Sequence, residues 1–310
     1  MGTISGQGII VGILATGIRL AAPFLYASLG EMFAQRSGVF NLGLEGIMMM
    51  GAFTGFMTSL GTGSPFLGVL AAIAVGASLG LLMAFISVTM QAEQGISGIG
   101  LHMFCWGLSG LLFRVYLGFI TSCKGFGPWN VPVLSSIPIL GPILFQHNWM
   151  VYFALILVPV SWFVLYRTTW GLKVRAVGTT PQAADTLGVD VNAIRYQCVI
   201  LGGAMAGLAG AFLTVGQANM YADNITAGRG FIAVALVYFG RWSPVGILLG
   251  SLLFSMMNAL QLWIQVLGIS FPYEFAVILP YVMTIAALAV AVRRVWAPTA
   301  LGKPFRREAG

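Results

Sequence analysis

Few side chains in this sequence have types and spacing that could support chemistry. The two histidines, His102 and His147, stand too far apart to suggest a metal site, and Cys105, Cys123 and Cys198 form no C-x-x-C pair. The sequence also lacks a G-x-x-x-x-G-K-[ST] phosphate loop, a G-x-S-x-G turn and an H-E-x-x-H motif. We therefore predict that the chain is not an enzyme, hydrolyses no ATP itself and holds no metal or other cofactor.

The ionisable groups within apolar sequence are the remaining candidates for chemistry. Glu45 and His102, with Glu31 and Glu274 as weaker candidates, are the groups that could serve a proton relay. A lone histidine in a membrane helix more often bonds a neighbouring helix, and we favour that role for His102. Because so few relay groups are present, energy input through a cytoplasmic partner is the more economical interpretation.

These groups are set in a strongly apolar chain of 310 residues, of which 58% are hydrophobic and 7% charged. Soluble domains carry about a quarter charged residues. The sequence therefore predicts an all-α polytopic membrane protein. Apolar runs of about 20 residues, the length of one span, give about nine spans with a range of roughly eight to ten, including short, broken or re-entrant segments.

Basic residues are concentrated in two segments. Of the 15 lysines and arginines, nine lie in residues 167–195 or 293–310. Lys and Arg resist translocation, so both segments are expected in the cytoplasm. The net charge of +7 then reports topology and does not indicate a nucleic-acid partner. We divide the chain into one transmembrane domain, 1–292, which includes the cytoplasmic loop 167–195, and a basic cytoplasmic tail, 293–310.

The loop 167–195 contains a short predicted helix. Thr180 can cap a helix that begins at Pro181, and Gly188 is placed to end it. A helix of about two turns is marginal alone, so it is expected to dock on something. It is either a handle through which a cytoplasmic partner moves the membrane part or a turn that merely closes the loop. The residues expected to face outward are Ala183, Ala184 and Leu187.

Glycine patterns mark three further features. The stretch SGVFNLGLEG, residues 37–46, suggests either a broken or re-entrant helix that lines a cavity or a tight interfacial turn before an ordinary helix. Gly203, Gly207 and Gly210 recur at helical spacing, which predicts a helix that packs closely on its neighbours. The apolar run 230–239 is too short for a span and predicts a half-helix.

Three blocks resemble the permease subunits of bacterial ABC importers. They are GEMFAQRSGVFNLGLEGIMMMGAF (Gly30–Phe53), GLKVRAVGTTPQAADTLGVDVNAIR (Gly171–Arg195) and GRGFIAVALVYFGRWSPVGILLGSLLF (Gly228–Phe254). The likeness runs in order over about residues 8–292 and is strongest to the ribose and nucleoside branch, which is related to branched-chain amino acid permeases. It implies a type II permease fold like that of the vitamin B12 importer.

The resemblance also implies partners and a substrate class. The expected partners are two ABC ATPase domains, a second related permease subunit in a heterodimer, and a periplasmic or lipid-anchored solute-binding protein. The chain would lie in the bacterial cytoplasmic membrane and form half of the pathway for a nucleoside or related small neutral solute. A ribose-like simple sugar remains open as the substrate, and a solitary secondary transporter or channel is the alternative class.

Finally, the resemblance assigns roles to individual residues. Glu45 is better suited to bonding a broken helix than to contacting substrate, and the amides Asn258 and Gln261 face either the pathway or a neighbouring helix. The expected pathway residues are Phe40, Asn41, Gly43, Glu45, Asn258 and Gln261. The expected ATPase-coupling residues are Gly178, Thr180, Pro181, Ala183, Ala184, Leu187 and Gly188. A structural or gating role falls to Arg229, Gly230 and Arg241.

Overall fold

The chain folds as a bundle of helices joined by short turns. The computed structural model describes residues 6–119, 122–130, 135, 137, 139–266, 278, 282 and 297–306, so Glu274 and the predicted domain boundary at 292 lie outside the described residues. The helices are α1 (Gly6–Arg36), α2 (Leu44–Thr62), α3 (Pro65–Ala84), α4 (Gln94–Tyr116), α5 (Leu140–Leu144), α6 (Trp149–Arg167), α7 (Thr169–Thr179), α8 (Pro181–Thr186), α9 (Val191–Ala211), α10 (Arg229–Phe239) and α11 (Pro244–Val266). Wider π-helical turns, Phe85–Thr89 and Phe212–Ala218, extend α3 and α9. The strands β1 (Trp129–Asn130) and β2 (Gln146–His147) form one antiparallel pair.

Six helices within the described ranges are long and apolar enough to cross a membrane: α1, α3, α4, α6, α9 and α11. The 19-residue α2 lies against α3 and α9, and most of its residues are buried. The predicted half-helix is confirmed as α10, which has 11 residues. The prediction of an all-α polytopic membrane protein is therefore confirmed.

Close backbone contacts hold α9 in the centre of the bundle. A Cβ on Gly51 of α2 would lie only 2.6 Å from the Cα of Gly207, and a Cβ on Gly203 would lie 2.7 Å from the Cα of Gly80 in α3. No larger side chain fits at these approaches, which is how small residues bring membrane helices together. The predicted packing role of this glycine pattern is confirmed.

The chain breaks between α1 and α2 over residues 37–43. Gly38 has φ +94°, which favours glycine, and Ser37, Val39 and Asn41 are buried. The break therefore lies in the packed interior and is not an exposed interfacial turn. We refer to residues 37–43 as the buried turn.

Candidate functional site

The short helix predicted in the loop is present, and it follows a longer one. α7 begins after Thr168, whose Oγ1 accepts a hydrogen bond from a first-turn N–H at 3.1 Å. Thr180 lies at the N-cap of α8, but its side chain makes no capping bond there, and its carbonyl accepts from the Ala184 N–H at 3.0 Å. Gly188 ends α8 as predicted, with φ +81° and an N–H that donates to the Asp185 carbonyl at 2.9 Å.

Only part of α8 is open to a partner. Leu187 is exposed by 84%, and Ala183 is exposed as well. Ala184 is exposed by only 3%, and Pro181 is also buried, so the expectation that Ala184 faces outward is wrong. The physical reason is that a six-residue helix is marginal alone and rests one side on its own chain. The open residues, which we call the α8 tip, are Gln182, Ala183, Thr186 and Leu187.

Gly178 connects α7 to the end of α1. The residue is buried, and a Cβ added to it would overlap the carbonyl oxygen of Arg36. Its own carbonyl accepts a hydrogen bond from the Ala300 N–H at 3.0 Å. Gly178 therefore contacts its own chain on two sides, and it joins the segment that carries the α8 tip to α1.

Residues 297–306 cross the ends of several helices, and we call them the C-terminal strap. The Gly302 N–H donates to the Gly38 carbonyl at 3.0 Å, and the Gln91 side chain donates to the Phe305 carbonyl at 3.0 Å. This part of the predicted tail is therefore packed against the helices and is not a free extension.

Arg195 links the strap to the buried turn. Its side chain is exposed by only 1%, although the sequence places it among the basic residues of the loop. Its Nε donates to the Ser37 carbonyl at 3.2 Å, and its Nη1 donates to the Lys303 carbonyl at 3.0 Å. Arg195 therefore connects the strap to the buried turn from a buried position at the start of α9, unlike the exposed residues of the α8 tip in the same loop.

A buried polar network follows the last turns of α1. Gln35 donates to the Glu31 carboxylate at 2.9 Å and accepts from the Trp242 indole N–H at 2.8 Å. The Asn41 N–H donates to the same Glu31 oxygen at 3.1 Å. Sequence reasoning missed Gln35 and Trp242, although the spacing of four residues between Glu31 and Gln35 was an available signal. The network ties the buried turn to the junction between α10 and α11.

The three predicted pathway residues of the buried turn have different environments. Asn41 is buried, and its Oδ1 accepts from the Gly43 N–H at 2.9 Å, so this oxygen stabilises the turn. A Cβ on Gly43 would lie 3.0 Å from the Gly98 carbonyl oxygen of α4, so the backbones of the buried turn and α4 approach closely at this residue. Phe40 is only half-buried, and its ring lies edge-on to that of Tyr238 at 6.3 Å.

Glu45 organises the start of α10. Its Oε1 accepts from the Thr226 hydroxyl at 2.6 Å and the Gly228 N–H at 2.8 Å, and its Oε2 accepts from the Gly230 N–H at 2.5 Å. A Cβ on Gly230 would lie 2.5 Å from the Glu45 Cα, so Gly230 permits this approach. A carboxylate suits the N-terminus of a helix because unpaired N–H groups converge there. Glu45 therefore bonds the start of the half-helix α10 and not, as expected, the break between α1 and α2.

The two arginines with predicted structural or gating roles bracket α10. Arg229 donates from Nη1 to the Ile225 carbonyl at 2.9 Å and the Thr226 carbonyl at 3.1 Å, which closes the preceding loop. Arg241 is exposed and has φ +52°, followed by the buried Trp242 with φ +53°. Two successive left-handed residues without glycine are uncommon, and here they turn the chain from α10 into α11.

Asn258 and Gln261 lie apart from the other predicted pathway residues. Both are half-buried on α11, a helix that packs on α1, α6 and α10. The structure therefore brings Asn41, Gly43 and Glu45 to the contact region of α2, α4 and α10, and it leaves the α11 amides in a different region.

His102 faces α10. Its ring lies edge-on to the Phe231 ring at 5.1 Å, and its buried Nδ1 has no hydrogen-bond partner. In the part of the chain that the structure describes, no group of three or more His, Cys, Asp or Glu residues could hold a metal ion.

Comparisons with known proteins place this fold in a transport family. Residues 13–288 match the family model described as "Branched-chain amino acid transport system / permease component". The chain belongs to this family of ABC transporter permeases and is a multi-pass membrane protein. No solved structure matches the chain.

Three relatives cover nearly the whole chain. The "Nucleoside ABC transporter permease protein NupC" of Lactococcus lactis is 37% identical over 94% of this chain and 95% of its own. The "Putative glucose ABC transporter permease protein TsgC13" of Haloferax volcanii is 37% identical over 96% and 98%, respectively. The "Guanosine ABC transporter permease protein NupQ" of Bacillus subtilis is 36% identical over 92% and 93%. Each of these organisms also has a second permease protein that matches this chain at 24% to 26% identity.

Proposed function

We propose that this chain forms half of the transmembrane pathway of an ABC importer for nucleosides. The observation that carries the proposal is the similarity to two permeases named for nucleosides and guanosine, at 37% and 36% identity over more than nine-tenths of the chain. Glucose is the second candidate substrate, because TsgC13 is named for it and is 37% identical.

The partner proteins follow from the same family. A second, related permease completes the pathway as a heterodimer, and the pairs of permease proteins in the three organisms support this. Two ATPase domains supply the energy, and a periplasmic or lipid-anchored binding protein delivers the solute. The membrane part, residues 1–292, acts as one domain.

The ATPases bind at the α8 tip on the cytoplasmic side of the cytoplasmic membrane. The loop 167–195 and the C-terminal strap lie together on this side. Two observations support this orientation: nine of the 15 basic residues lie in residues 167–195 or 293–310, and the Gly178 carbonyl accepts a hydrogen bond from Ala300 of the strap.

Motion passes from the α8 tip to the pathway as displacement of packed helices. When the ATPases close, they push Ala183 and Leu187, and α7 moves with α8. The contact of Gly178 with Arg36 carries this motion to α1. The buried turn follows because Arg195 and the strap hold its backbone. Packed helices shift as units because their interiors are close to incompressible.

The experiment that tests the substrate is a thermal-shift screen of the solute-binding protein that works with this permease. Nucleosides, ribose, glucose and flavins are each added at the same concentration. A ligand present at 100 times its dissociation constant stabilises the protein by about 2.7 kcal/mol, which a melting curve resolves. We expect nucleosides to raise the melting temperature. If glucose raises the melting temperature and nucleosides do not, the substrate is glucose, and the assignment as an ABC permease is unaffected.

A further inference from the structure

A cavity lined mainly by apolar surface, with one Arg and one Asp on its wall, lies at the end of α4 remote from the C-terminal strap. The strap bonds Gln91, just before α4, whereas the cavity surrounds the last turns of that helix. The cavity has a volume of about 310 Å³, at the lower end of the range of small-molecule sites. Its lining residues are Trp106, Gly107, Gly110, Leu111, Arg114 and Asp223.

Three side chains give this cavity its chemistry. The Trp106 indole is exposed by 49% and offers a flat apolar face. Arg114 offers hydrogen-bond donors and Asp223 offers acceptors, and both side chains are exposed. A cation on a membrane helix is costly against lipid, so this face of α4 is expected to border water or protein.

Buried contacts on both sides of Asp223 in sequence hold the loop that carries this residue. Tyr221 is fully buried, with its ring centroid 5.5 Å from that of Phe53 and 5.4 Å from that of Phe113. A few residues later, Glu45 accepts the hydrogen bonds from Thr226 and Gly228. The carboxylate of Asp223 is thus presented by an anchored loop, and binding a solute there requires little ordering.

Aromatic side chains continue from the cavity towards the buried turn. His102, Trp106, Gly110 and Arg114 recur every four residues and so form one stripe along α4. At the other end of this stripe, His102 contacts Phe231 of α10. Two turns further along α10, Tyr238 contacts Phe40. Partly exposed aromatic rings therefore extend from the cavity to the proposed inner part of the pathway.

We propose that this cavity is the outer receiving site of the pathway for a nucleoside released by the binding protein. The base stacks on Trp106, the Asp223 carboxylate accepts hydrogen bonds from the two ribose hydroxyls, and Arg114 donates to an acceptor atom of the base, an oxygen in uridine and guanosine. Each of these contacts uses a group that a nucleoside presents on its base or its ribose. The inference rests on the proposed import of nucleosides and names the residues that receive them.

The test uses the whole importer in proteoliposomes, with labelled uridine as the probe. Two readings are taken for each variant: uridine import, and ATPase stimulation by the uridine-loaded binding protein. Asp223→Asn and Trp106→Ala should each lower import about tenfold, because a hydrogen bond to a charged group contributes about 1.5–3 kcal/mol and a stacked base about 1–3 kcal/mol. ATPase stimulation should stay within about twofold, because the contact with the binding protein is intact, so less uridine is imported per ATP.

Two further variants separate recognition from folding. Trp106→Phe keeps a flat ring and should retain import within about threefold of the wild type. Phe104→Ala removes an aromatic ring, exposed by 58%, from the same helix but outside the cavity, and import should be unchanged. Gel filtration verifies that each variant assembles to the wild-type amount.

The outcomes distinguish this inference from the proposed function. If the wild type imports uridine and the cavity variants behave like Phe104→Ala, the receiving site is overturned and nucleoside import stands. If import and ATPase stimulation fall together, the residues serve docking or assembly, which also overturns the site. If the wild type imports glucose and no uridine, the proposed substrate fails and the nucleoside site fails with it.

Discussion

Replacing Glu45 by Gln should destabilise the protein through the start of α10. The carboxylate accepts three hydrogen bonds, two at Oε1 and one at Oε2. The amide oxygen of Gln can accept the two hydrogen bonds from Thr226 and Gly228. Its NH₂ group cannot accept from the Gly230 N–H, and the two donors repel each other. Losing one bond to a buried charged acceptor costs about 1.5–3 kcal/mol, and the other two weaken when the charge is removed. We expect a total loss of about 3 kcal/mol.

The measurement is the melting temperature of the purified chain in detergent at a fixed scan rate. With an unfolding entropy of about 2.1 cal/mol/K per residue, a loss of this size lowers the melting temperature of a chain of 310 residues by about 5 °C. Glu93→Gln is the matched control, since the exposed Glu93 carboxylate also accepts backbone N–H bonds, from Gly95 at 3.0 Å and Ile96 at 2.5 Å. Water replaces these bonds readily, so the control should shift the melting temperature much less. Equal shifts for the two variants would refute the argument that burial makes Glu45 important.

The stabilisation contributed by the Glu93 carboxylate should depend on pH. Hydrogen bonds from the Ile96 and Gly95 N–H groups lower the pKa of Glu93 below its usual value near 4.5. A lowered pKa in the folded state means that the stabilisation by Glu93 is complete above pH 4.5 and is lost as the pH falls through the folded-state pKa. The difference in melting temperature between the wild type and Glu93→Gln should therefore become smaller as the pH is lowered. A constant gap would contradict this role.

Three further predictions concern coupling and topology. Ala183→Asp should lower ATPase co-purification about tenfold while membrane insertion stays normal. Ala184→Asp places a charge in the chain's own interior and should instead lower the yield of folded protein. Equal behaviour of the two variants would contradict ATPase binding at the α8 tip. Arg195→Gln should reduce uridine import per assembled complex while ATPase binding persists, because it loosens the strap; unchanged import would remove Arg195 from the coupling route. In a background without native cysteines, Asp190→Cys and Arg306→Cys should react with an impermeant maleimide only from the cytoplasm, and labelling from outside would reverse the topology.

Local patterns predicted the parts of the structure that depend on neighbouring residues in sequence. Gly188 ends α8 because a left-handed residue is needed there, and the spacing of Gly203 and Gly207 sets one close face of α9. The half-helix α10 followed from the length of its apolar run. These features require no knowledge of distant contacts.

The remaining features depend on contacts between distant residues. Glu45 and Gly230 are 185 positions apart, and Arg195 bonds a carbonyl 108 positions away. Such side chain–backbone bonds leave no periodic trace in the sequence. The orientation of Ala184 was missed for a related reason, since a helix of six residues is too short for its apolar pattern to define a buried side.

The most direct test of ATP-driven nucleoside import is uptake of labelled uridine into proteoliposomes that contain this chain, its partner permease and the two ATPase subunits. The binding protein is supplied on the side opposite the ATPases. We predict that uridine accumulates only when ATP is present on the ATPase side, and that a protonophore leaves the rate unchanged. Accumulation that needs no ATPase and collapses with the protonophore would contradict the proposal and indicate a secondary transporter.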